Sequence, residues 1–67
     1  MDAKTSWETF FKMMIADEHG AQMKYAMAMN LAEEPKLKKI FERFMQEEMV
    51  HAQLLEAELM KLEKKGI

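Results

Sequence analysis

The stretch Leu31-Ala32-Glu33-Glu34-Pro35-Lys36-Leu37 interrupts the middle of a 67-residue chain that is otherwise rich in Ala, Met, Leu, Glu, Lys and Gln, all good helix formers. Pro35 has no amide hydrogen and cannot continue a helix that reaches it, yet its fixed φ suits the first position of a new one. Glu33 and Glu34 oppose the negative end of a preceding helix and favour the positive start of a following one. The pattern predicts a turn at residues 33–35, a first helix over about residues 6–32 and a second over about residues 35–64. Upstream, Thr5-Ser6-Trp7-Glu8 has the form of a capping box, with Thr5 as cap and Glu8 reaching back. Downstream, Lys61, Lys64 and Lys65 complement a helix C-terminus, and Gly66 suits the residue beyond it. The expected fold class is all-α, with residues 1–67 as one antiparallel two-helix hairpin.

Composition removes several alternatives. The chain has no Cys, one Pro and two Gly, so disulfide frameworks, zinc ribbons and Cys nucleophiles are excluded. Apolar residues make up 49% of it, too many for a disordered tail. Its longest uninterrupted apolar run is Tyr25-Ala26-Met27-Ala28-Met29, far short of a membrane span, and no signal peptide is visible. Ten basic against twelve acidic residues give a net charge of −2, the wrong sign for a chain that tracks phosphates, so neither nucleic acid nor membrane is expected as a partner. The basic cluster Lys36, Lys38, Lys39 and Arg43 is interleaved with Glu33, Glu34 and Glu42 and reads as a solvated face. A lone hairpin of this length encloses no core, and chains this short need oligomerisation, a metal or disulfides. Self-association is therefore expected, with a homodimer as the minimum.

Spacing by four and three residues draws one seam on each helix. On the first it selects Trp7, Phe11, Met14, Glu18, Ala21, Tyr25, Ala28 and Ala32; on the second, Leu37, Phe41, Phe44, Glu48, His51, Leu55, Glu58 and Leu62, with Leu59 able to take over from Glu58 as the drift of 3.6 against 3.5 accumulates. Glu18, Glu48 and His51 interrupt these seams. Folded about residue 34, all three reach the same level, about 24 Å from the turn at 1.5 Å per residue. Two carboxylates in an apolar seam cost several kcal/mol unless a cation offsets them. No Lys or Arg stands in either seam at that level. A metal ion is the economical cation, and Glu with His suits iron, manganese or zinc. Two hairpins related by a two-fold axis would supply four carboxylates and two imidazoles, the ligand set of a di-metal carboxylate four-helix bundle.

At these residues a family resemblance is visible. Glu18-His19-Gly20-Ala21-Gln22-Met23-Lys24-Tyr25 resembles the E-x-x-A-x-x-x-Y signature of rubrerythrin-type ferritin-like proteins, and Glu47-Glu48-Met49-Val50-His51-Ala52 resembles their E-E-x-x-H-A signature. The chain carries one such helix pair, so it is most similar to the encapsulated ferritins, single hairpins that dimerise into a ferritin-like four-helix bundle. The resemblance covers about residues 14–62. It implies a ferroxidase: Fe(II) held between two hairpins and oxidised to Fe(III) for iron storage or detoxification, with Glu18, Glu48 and His51 as catalytic metal ligands of a di-iron site. It further implies a cytoplasmic location, assembly beyond the dimer and, in that group, an encapsulin-type shell protein enclosing the assembly in a nanocompartment. Asp17, beside the first ligand, would assist iron uptake.

Other residues leave alternatives open. Tyr25, one heptad past Glu18, either hydrogen-bonds a ligand carboxylate or is an ordinary seam aromatic. Glu47 and His19 adjoin ligands in sequence but point about 100° away and read as surface residues. Nine Met is high, and Met13, Met23, Met27 and Met29 fall partly outside the first seam, which favours contacts wider than one dimer. Two other functions compete: a non-enzymatic helical adaptor or regulator with a structural metal or none, and a manganese or mixed-metal peroxidase or oxidase of rubrerythrin type.

Overall fold

The computed structural model describes residues 3–65. It contains α1 (Ala3–Leu31) and α2 (Pro35–Lys65), with no strand among the described residues. The helices pack antiparallel into a rod about 50 Å long. The expected boundaries shift slightly. The turn occupies residues 32–34, and Pro35 is the first residue of α2. Glu34 takes the cap position: its carbonyl accepts the first bond of α2 from Lys38 N at 3.1 Å, while its charge faces the positive helix end. Ala32 N still donates to Ala28 O at 2.9 Å, closing the last turn of α1.

The start of α1 differs from the capping-box expectation. The helix is already formed at Ala3, so Thr5 lies inside the first turn rather than before it. Glu8 pairs with Lys4 at 3.7 Å, an i,i+4 contact, and Thr9 Oγ1 donates to Thr5 O at 3.0 Å. A favourable side-chain pair along the helix thus takes the carboxylate that a cap would have used. Gly66, expected to close α2, lies outside the described residues.

The seam between the helices is thin. Among the described residues only Ala32 (9% exposed) and Ala52 (4%) are buried. On α2 the shielded positions are Phe41, Met45, Glu48, Ala52, Leu55, Leu59 and Leu62, again spaced by four and three. This row differs from the expected one at Phe44 and His51, which are exposed although they still reach Tyr25 and Glu18 of α1, while Met45 and Ala52 are the more shielded; Leu59 stands in for the exposed Glu58, as expected. The two helices meet through one edge of each apolar stripe, and the other edge stays open. That open face carries Leu37, Ile40, Phe44 and Leu54 of α2 with Trp7 and Phe10 of α1, all exposed. Near the turn an aromatic group spans the helices: Tyr25 lies 6.3 Å from Phe41 and 5.5 Å from Phe44 between ring centroids.

The accessible surface is 5448 Å². A compact monomer of this mass exposes about 4,400 Å². The excess, about 1,000 Å² per chain, is close to what each partner contributes to an interface of ordinary size.

Candidate metal centre

Glu18 reaches the centre from α1, at a shielded position one heptad before Tyr25. Glu48 occupies the corresponding seam position of α2. His51, three residues on, stands at the edge of the open face, and its ring reaches back over the turn that carries Glu48, as helical side chains lean toward the N-terminus. The three residues expected from the sequence are thus brought together across the helix pair. Their ligating atoms all lie within 4.8 Å of one another.

The environment is asymmetric. The Glu18 and Glu48 side chains are each 21% exposed, whereas His51 is 53% exposed. His51 Nδ1 lies 3.6 Å from Glu18 Oε2 and 3.9 Å from Glu48 Oε1, in reach of both carboxylates but beyond hydrogen-bond length. Glu18 Oε2 is buried and has no hydrogen-bond partner. An acceptor left in that state costs about 1–3 kcal/mol, more when it is charged. The interior level expected from the seams is therefore half open: the carboxylates are shielded and the imidazole stands at the rim.

The geometry could hold a metal ion. Ligand bonds of about 2.0–2.2 Å to nitrogen and oxygen require donor atoms about 3–4 Å apart. The two measured separations fall in that range, and small rotamer changes close the remainder. The donor set of two carboxylates and one imidazole fits iron, manganese or zinc alike. One hairpin would offer a metal three donor groups.

The neighbouring residues sort clearly. Tyr25 belongs to the aromatic group with Phe41 and Phe44, and its hydroxyl does not bond Glu18 Oε2. Asp17 is exposed beside Glu18. His19 and Glu47 are surface residues, as expected: His19 Nε2 pairs with Glu56 Oε1 at 3.5 Å, and Glu47 Oε1 accepts from Arg43 Nε at 3.2 Å. Neither described helix is long and apolar enough to cross a membrane. No family model, no curated protein and no solved structure matches the chain.

Proposed function

We propose that two copies of the hairpin pack open face to open face into a four-helix bundle, and that their paired Glu18, Glu48 and His51 bind Fe(II) as substrate and support its oxidation to Fe(III). The observation that carries this reading is the orphaned Glu18 Oε2. A buried, unbonded carboxylate oxygen sits within ligand distance of a second carboxylate and an imidazole. The excess surface and the large apolar side chains exposed on it support the pairing, and the position of His51 at the rim supports a centre completed from across the interface. The two sequence motifs that resemble rubrerythrin-type ferritin-like proteins point the same way and give the reaction class.

In this reading the chain's residues have distinct tasks. Glu18 and Glu48 supply hard anionic oxygen, which favours the ferric product over the ferrous substrate. His51 supplies nitrogen from the rim, toward the second copy. The apolar rows on either side of the level, with Phe11 and Leu62 on one side and Tyr25 and Phe41 on the other, limit water around the carboxylates. Two Fe(II) give one electron each to dioxygen, which takes two protons from solvent and leaves as hydrogen peroxide.

A second reading has its own observation. His51 Nδ1 lies within 4 Å of both carboxylates and can pair with them without a metal. The hairpin pair is then a metal-free adaptor or regulator. Anaerobic Fe(II) titration with native mass spectrometry, followed by air, separates the two. Ferroxidase predicts saturation at two irons per pair of chains and a ferric charge-transfer band in air. Both signals should vanish in Glu48→Ala and His51→Ala while the helical dimer persists. A dimer that takes up no iron favours the adaptor, and unchanged oxidation in both variants refutes the site.

A further inference from the structure

Arg43, Glu47 and His51 follow one another at steps of four along α2, so they form one row on its surface. The row borders a shallow cavity of about 290 Å³, completed by Gln46 and Val50. It begins in an ion pair, Arg43 Nε donating to Glu47 Oε1 at 3.2 Å. It ends in an imidazole whose Nδ1 is turned toward Glu18 and Glu48. The Nε2 edge of His51 therefore faces away from those carboxylates, and among the described residues nothing is bonded to it.

We propose that Glu47 is a positioning residue of the metal centre, accepting the Nε2–H of His51 when Nδ1 ligates a metal. The inference rests on reading Glu18, Glu48 and His51 as ligands. A ligating imidazole almost always donates its second ring N–H to a carboxylate, carbonyl or water, which fixes its tautomer and raises its basicity. Among the carboxylates of this part of α2, Glu47 lines the same cavity as His51. Glu48 is on the Nδ1 side, Glu56 pairs with His19 at 3.5 Å, and Glu58 accepts from Lys61 at 3.2 Å. Glu47 stands one turn before His51 on the same surface row and uses only Oε1 toward Arg43, so Oε2 is left for the ring. The guanidinium then has a task as well. It orients the Glu47 carboxylate at the rim, and its positive charge makes Glu47 a poor collector of cations.

The test uses Zn(II), a redox-inert probe, in competition with a chromophoric chelator, together with ¹⁵N–¹H spectra of the His51 ring in the full chain. The expected result is a loss of about 10- to 100-fold in Zn(II) affinity for Glu47→Ala. Glu47→Gln, which keeps an acceptor oxygen, should stay near the original affinity. The ring spectrum of the loaded protein should show a protected Nε2–H that disappears in Glu47→Ala. Full affinity in Glu47→Ala overturns the proposal, as does an equal loss in Glu47→Gln, which keeps the acceptor oxygen. If the unaltered chain binds no Zn(II), the failure lies in the ligand reading itself. Glu47 is exposed and at mid-helix, and circular dichroism checks that each variant keeps its fold.

Discussion

Dilution is the simplest perturbation of a molecule with this surface. The hairpin buries two alanines and leaves Trp7, Phe10, Leu37, Ile40, Phe44 and Leu54 exposed along one face. If that face is covered by a second copy, unfolding separates two chains, and each tenfold dilution removes about 1.4 kcal/mol from the stability of the pair. At roughly 0.7 kcal/mol per residue near 60 °C, unfolding a pair of these chains absorbs roughly 95 kcal/mol. The midpoint should then fall by roughly 5 °C per decade of concentration, and by roughly 10 °C over two decades. The assay is circular dichroism at 222 nm, melted at several concentrations in the presence of a chelator, so that metal does not contribute. Superimposable melts across two decades would refute the reasoning, because they would mean that the thin Ala32 and Ala52 seam holds a folded monomer.

Three further outcomes follow from individual residues. Phe44→Asp places a charge at the centre of the open face, beside Tyr25, and should shift the sedimentation profile from dimer to monomer. Glu18→Met removes the orphaned carboxylate oxygen at similar volume; it should raise metal-free stability by about 1 kcal/mol while abolishing metal binding, both measured by chelator-treated and metal-loaded melts. Gly20→Ala should stabilise α1 by about 0.5–1 kcal/mol, since an added Cβ meets nothing within 4 Å, and a lower midpoint instead would reveal a close neighbour on that flank in the assembled protein.

The hairpin was legible because its signals are local. Pro35 and the two glutamates before it mark the turn, and long runs of helix formers mark the rest. The start of α1 was less legible, since Glu8 serves a cap or an i,i+4 pair equally well and Lys4 decides between them. The level of Glu18, Glu48 and His51 followed from counting residues about the turn, and the structure brings the three together. Their burial did not follow from the count. A stripe spaced by four and three has two edges, and spacing alone does not say which edge meets the sister helix. Met45, Ala52 and Leu59 form the observed edge, each four residues after Phe41, Glu48 and Leu55. Their apolar character was the available signal. Phe44, His51 and Glu58 form the other edge, which explains why the imidazole stands at the rim.

The centre sits far from every helix end. Glu18 is 13 residues from Leu31 and 15 from Ala3; Glu48 is 13 from Pro35, and His51 is 14 from Lys65. Helices lose structure from their ends inward, one turn at a time, and terminal turns open at little free-energy cost. Three turns can unwind at either end of the rod before the first ligand is released. Extensions, tags or partner segments joined near the chain ends or at the turn therefore act on a part of the molecule that is mechanically insulated from the ligands. Amide exchange should be slowest around Glu18 and Glu48 and quicken in both directions away from them.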